Sequence, residues 1–61
     1  MQMTESEICR RYRMNGCRRS LVPILAQLNA AHHYDIKEIL HRNGLYEYRS
    51  YEIREVNHNE K

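Results

Sequence analysis

Apolar residues fall at helical spacing in three blocks along the chain, each closed by a turn signal, before giving way to an alternating pattern. In the first block Ile8 and Tyr12 share one face at i, i+4 with Cys9 beside them, while Arg10 and Arg13 point away. Thr4-Glu5-Ser6-Glu7 has the form of a capping box, and both glutamates suit the positive end of a helix. Asn15-Gly16 is a helix stop, with the glycine supplying the left-handed conformation, so the first helix is predicted over 5–14. In the second block Leu21, Ile24, Leu25 and Leu28 follow an i, i+3, i+4, i+7 stripe. Ser20 is the candidate cap and Pro23 lies in the first turn, giving a helix over 21–30. The third block has Asp35 and Glu38 as a second capping box, Ile36, Ile39 and Leu40 as its buried stripe, and Asn43-Gly44 as its stop, giving a helix over 35–42.

Beyond Gly44 the periodicity changes. In LYEYRSYEIREV, Tyr46 alternates with Tyr48 and Tyr51 with Ile53, which predicts a short β or extended segment over 45–56. Arg49-Ser50 is a poor two-residue hairpin turn, because neither residue prefers positive φ. The competing pattern is a fourth helix carrying Leu45, Tyr48, Glu52 and Val56 on one side. Residues 57–61 read as a frayed tail. The fold class is therefore mostly α: a single small three-helix domain over 1–61 with a short C-terminal β or extended segment.

A chain of 61 residues with no Trp and no Phe supports only a thin core. Chains of this size bury about 60% of their unfolded surface and commonly gain from a second copy, a metal or a disulfide. A preformed pocket for a small substrate would need volume that such a core lacks. No segment is long or apolar enough to span a bilayer, and the first seven residues lack the charge and apolar run of a signal peptide. A cytoplasmic location is therefore expected, with thiols kept reduced and no membrane partner.

Charge is distributed unevenly. The first 34 residues carry a net +3, with Arg10, Arg11, Arg13, Arg18 and Arg19 set against Glu5 and Glu7, and the remainder carries −1. Eight of the ten basic residues are Arg, whose planar fork suits phosphate and carboxylate. A solvated Arg-rich helix face explains the same composition without any partner.

The segment ILAQLNAAHHYDIKEIL resembles a helix-turn-helix motif in its core positions. Ala26 sits where the helices need a close approach, Asn29-Ala30 stands in place of the usual Gly-apolar pair, and Ile36 with Ile39-Leu40 fills the second helix's inner face. The motif departs in its turn, which looks one residue longer than the commonest form. More widely, the pattern from Ile8 to Leu40 is similar to that of small bacterial and prophage helix-turn-helix-like proteins. That resemblance implies a DNA-binding-like fold and a regulatory or phage-related role without catalysis, such as transcription regulation.

On this reading the third helix enters the major groove with His33, Tyr34, Lys37 and His41, while Arg10, Arg11, Arg13, Arg18 and Arg19 hold phosphates. A hairpin carrying Arg49 would act as a wing. Asp35 and Glu38 lie near the same surface and repel phosphate unless they accept from cytosine amino groups. Tyr46, Tyr48, Tyr51 and Ile53 are the candidate homodimer interface, with base stacking as the other use of such a cluster. The alternative is a protein-interaction module, such as a phage-encoded inhibitor or adaptor of a host protein, suggested by the mixed-sign third helix and the Tyr-rich end. An RNA partner has no specific signature.

Cys9 and Cys17 with His33 and His41 invite a zinc reading, but each pair is separated by seven residues, where structural zinc sites place ligands two to five apart. No metal or other cofactor is expected: Cys9 reads as a small core residue and Cys17 as a loop thiol open to an intermolecular disulfide. His32-His33 has no nucleophile, oriented carboxylate or glycine-rich loop at a recognisable spacing, so no enzyme is expected.

Overall fold

A computed structural model describes residues 2–52. Three helices form the body: α1 (Glu5–Met14), α2 (Leu21–Leu28) and α3 (His33–Arg42), with a helical turn over 50–52. There is no strand among the described residues. α3 packs against both α2 and α1. The core gathers Ile8, Cys9 and Tyr12 from α1, Val22, Leu25 and Ala26 from α2, Ile36, Ile39 and Leu40 from α3, and Tyr46 from the segment that follows.

α1 begins and ends where its sequence signals place it. The Thr4 hydroxyl accepts from the Glu7 N–H at 3.1 Å. Glu7's carboxylate does not close the box; it turns to Arg10 at 2.9 Å and Arg11 at 2.7 Å. At the far end of the helix bundle Glu5 reaches across to Arg42 (3.0 Å) and Asn43 (2.9 Å), tying the start of α1 to the end of α3. The amide of Asn43 and then the Arg42 guanidinium hold the Glu5 carboxyl below the ordinary range.

α3 starts two residues earlier than the Asp35 cap predicts. Two overlapping boxes compete here, and the upstream one wins: His32 is the N-cap, accepting from the Tyr34 N–H, while Asp35 accepts from the His32 N–H at 3.1 Å. Asp35 is thus the third residue of the helix and not its cap. Ser20 does occupy the cap position of α2, but its hydroxyl makes no capping hydrogen bond. The Leu21 and Val22 N–H groups instead donate to the carbonyls of Arg18 and Arg19.

All three helices stop in the same way. Each last turn carries paired bonds into the helix: Gly16 to Arg13 and Cys17 to Tyr12 after α1, Ala30 to Gln27 and Ala31 to Ala26 after α2, Gly44 to His41 and Leu45 to Leu40 after α3. This is the Schellman arrangement, which needs a left-handed residue just past the helix. Glycine fills it at 16 and 44, with φ of 79° and 74°, but at the end of α2 the residue is Ala30, with φ of 50°. An L-residue in that region costs roughly 1–2 kcal/mol, partly offset for glycine by its extra freedom when unfolded. Ala30→Gly is therefore expected to stabilise the fold by about 0.5–1 kcal/mol, seen as a rise of several degrees in Tm by circular dichroism. An unchanged or lower Tm would show the strain at Ala30 to be negligible.

α2 buries a different stripe from the one read off its leucines. Val22, Leu25, Ala26 and Asn29 face inward, Leu21 is half-buried, and Ile24 and Leu28 face solvent at 52% and 47% exposure. Both stripes satisfy i, i+3, i+4, i+7; they differ by one residue, a rotation of about 100° about the helix axis. The packed one is chosen by Asn29, which is 1% exposed and makes the joint with the chain's beginning. Its side-chain oxygen accepts from the Met3 N–H and its amide nitrogen donates to the Leu25 carbonyl, both at 2.7 Å.

Candidate nucleic-acid interface

The segment after α3 decides which polar groups remain available. Tyr46 is buried against the helices and Tyr48 is half-buried beside it, their rings 5.5 Å apart and edge-on. Among its described residues the segment forms no strand, and over 50–52 it makes a helical turn that Glu52 caps: its carboxylate accepts from the Arg49 N–H at 2.7 Å, and its own N–H donates to the Arg49 carbonyl. Arg49-x-x-Glu52 has the spacing of a capping box and was the signal available in the sequence.

Glu52 is the centre of a charge cluster. Its side chain is 7% exposed, with Lys37 Nζ at 2.9 Å and Arg19 Nη1 at 3.4 Å, and the Tyr46 hydroxyl donates to its second oxygen. Burial pushes the carboxyl up, but hydrogen bonds from the Arg49 N–H, the Tyr46 hydroxyl and Lys37 outweigh it and hold Glu52 at about 2. The same contact works on Tyr46 in the opposite sense: burial first, and then the carboxylate beside it, raise the phenol to about 12.

Arg19 lies with its guanidinium 4.4 Å from the centre of the Tyr46 ring and donates to the Glu47 carbonyl. It therefore serves the fold. Lys37 is spent in the same cluster and lies 5.1 Å from the Tyr34 ring. His41 donates from Nδ1 to the Tyr46 carbonyl at 3.0 Å, the only role a carbonyl partner allows, and its ring rests against Tyr48. Lys37 is thus half-buried by the chain's own continuation, while His41 is held through Nδ1 but stays exposed, as do His33 and Tyr34 at the helix start. Tyr34 stacks on His32, with ring centres 5.4 Å apart. The outward positions of α3 are Asp35, Glu38 and Arg42.

The other arginines remain on the surface. Arg10 and Arg11 are exposed and share Glu7, whose carboxyl Arg11 and then Arg10 hold below its ordinary range. Arg13 and Arg18 are exposed and make no ion pair among the described residues. Arg10 and Arg11 line one shallow depression at the end of α1 and Arg18 lines another, and Met14 and Asn15 border both. The nine residues expected to meet nucleic acid therefore divide into a basic surface around the end of α1, an exposed pair at the start of α3, and three groups, Arg19, Lys37 and His41, engaged within the fold.

Of the expected interface tyrosines, Tyr46 and Tyr48 face their own chain, Tyr51 is exposed, and Ile53 lies outside the described residues, as do the tail and the last part of 45–56. Cys9 is buried, which raises its thiol, and Cys17 is exposed in the loop with φ of 54°. Among the described residues no three His, Cys, Asp or Glu side chains come together to hold a metal ion, and no helix is long and apolar enough to cross a membrane. No protein-family model, curated protein or solved structure matches the chain.

Proposed function

We propose that the protein is a small helix-turn-helix DNA-binding protein without catalytic activity, acting as a regulator of bacterial or phage transcription. The observation that carries this reading is the arginine surface at the end of α1, beside two packed helices joined by a four-residue connection over 29–32. Arg10, Arg11, Arg13 and Arg18 present guanidinium groups to solvent where a phosphate backbone would meet them. With Lys37 and His41 engaged, base contacts fall to His33 and Tyr34, so most of the affinity comes from the backbone and little from sequence.

The test is fluorescence anisotropy with a labelled duplex over a range of salt concentrations. Neutralising three or four phosphates gives a slope of log affinity against log salt of about −2.7 to −3.6, equivalent to roughly a 40-fold to 150-fold loss from 50 to 200 mM. Arg11→Ala, Arg13→Ala and Arg18→Ala together are expected to flatten that slope by two to three units, as about one unit follows each lost phosphate contact, with the helical circular dichroism unchanged. Arg19 is left out of this set because its loss would disturb Tyr46 and Glu47. No binding at low salt, or binding indifferent to salt, overturns the proposal.

One observation favours the second reading, an interaction module for a host protein. Asp35 and Glu38 face outward from α3, where a DNA reader would meet phosphate. A stoichiometric protein captured from nuclease-treated host lysate, together with absent DNA binding, would select that reading.

A further inference from the structure

The Glu52 carboxylate sits in a nest of donors that other parts of the fold supply. Its Oε1 accepts from the Arg49 N–H at 2.7 Å and lies 3.4 Å from Arg19 Nη1. Its Oε2 accepts from the Tyr46 hydroxyl and lies 2.9 Å from Lys37 Nζ. Arg49 shares the turn with Glu52, but Arg19 stands in the loop before α2, Lys37 on α3 and Tyr46 in the core, so these three belong to the packed body. Two cations share one carboxylate, and among the described residues neither pairs with any other. The turn that brings the carboxylate is lightly attached: Arg49, Ser50 and Tyr51 are exposed, leaving the Glu52 side chain as its buried anchor.

We propose that Arg19, Lys37 and the Tyr46 hydroxyl form a phosphate site, which Glu52 masks until a nucleic-acid backbone phosphate displaces it. A phosphodiester carries the same single negative charge as a carboxylate and presents two non-bridging oxygens along one edge, so the same donors can hold it in the same sense. Arg19 and Lys37 would each keep an anionic partner through the exchange, and the turn carrying Glu52, with few buried contacts of its own, is the part of the fold that opens at least cost. Arg19 directly follows Arg18, so the site extends the arginine surface at the end of α1 toward α3. Masking of this kind presupposes the DNA-binding reading above. It makes the closed chain the weaker binder, because apparent affinity falls with the fraction of molecules in which the site is open.

Glu52→Gln tests it with the same labelled duplex. Freeing the site adds one phosphate contact, so the salt slope should steepen by about one unit and affinity at about 50 mM salt should rise on the order of tenfold. Glu47→Gln removes the same charge from an exposed position on the same segment and should change affinity by about twofold or less. Adding Lys37→Gln to Glu52→Gln should abolish the gain. Because Glu52→Gln also loosens the fold, wild type supplies a second measurement: saturating duplex should speed amide exchange at Arg49, whose N–H loses its acceptor, while the amides of α1 stay protected. Inorganic phosphate alone should leave that amide unchanged; if it speeds the exchange as the duplex does, the ligand is free phosphate and the proposal is overturned. Glu52→Gln binding no tighter than Glu47→Gln, or Arg49 exchange unmoved by saturating duplex, overturns it as well, and salt-dependent binding by wild type then leaves the DNA reading standing. Binding by neither wild type nor Glu52→Gln overturns both.

Discussion

Asn29→Ala is expected to lower the free energy of unfolding by about 2–3 kcal/mol, the largest loss from any single polar side chain outside the charge cluster. The effect has two parts. The Met3 N–H loses its 2.7 Å partner in a part-buried site, and the space left by the amide is bordered by Leu25 and the end of α2. Asn29→Asp separates the contributions: one oxygen still accepts from Met3, but the other meets the Leu25 carbonyl, where two acceptors repel. That variant should be destabilised at neutral pH and partly recover as acid protonates the carboxylate into a donor. A chain of 61 residues has a total stability of roughly 3–9 kcal/mol, so the alanine variant should unfold at clearly lower denaturant. A change below about 0.5 kcal/mol in urea unfolding followed at 222 nm would show that Asn29 merely fills space.

Glu52 carries the second large effect. The Glu52→Gln variant removes the charge that Lys37 and Arg19 share and leaves two cations close together beside Tyr46. Breaking one partner out of a buried charge cluster costs more than the pair contributes, about 2–4 kcal/mol here, since Lys37 keeps some access to water. Its pH signature is specific. The folded Glu52 carboxyl lies at about 2 against an ordinary 4.5. A depressed carboxyl gives stability that is present in full above 4.5 and is lost as pH falls toward 2. The loss across that window amounts to roughly 3 kcal/mol. Wild type should therefore show a steep fall in Tm between these limits and Glu52→Gln a shallow one. Parallel curves would mean that the carboxylate is no better held in the folded state than in the unfolded one. Glu5 and Glu7 are lowered as well, but Glu5 is exposed and Glu7 only half-buried, so water screens both and they contribute less to this limb.

Three helices were legible, with both ends of α1 and the end of α3 written locally, whereas α2 stops at Leu28 and not at residue 30 and α3 starts at His33 and not at residue 35. Thr4 and Asn15-Gly16 bracket α1, and Asn43-Gly44 ends α3, within windows of a few residues. The face of α2 was not legible, since a helix apolar on nearly every side offers two valid stripes, and the packed one includes an asparagine. Its amide is chosen by a backbone group 26 residues away, which no periodicity reveals. The internal engagement of part of the candidate site was hidden for the same kind of reason. A run of five arginines looks uniform in sequence, yet Arg19 is claimed by Tyr46, Glu47 and Glu52, and Lys37 by that same carboxylate. The capping geometry at Glu52 was visible as Arg49-x-x-Glu52, but tyrosine alternation over the same residues concealed it.

The three matching helix ends also bear on how the chain folds. Each closes a ring of six residues at most, so every helix can stop in its proper place before any tertiary contact exists. The distant joints, Met3 to Asn29 and Arg19 to Glu52, span 26 and 33 residues and lie toward the two ends of the described chain. Contacts between neighbouring helices are mostly local and favour folding in the microsecond-to-millisecond range. Assembly is then expected to run outward from α2 and α3, with the joints at Met3 and Glu52 locking last. Amide protons of the central helices should exchange slowest, and those of Met3 and Arg49 should report the first openings.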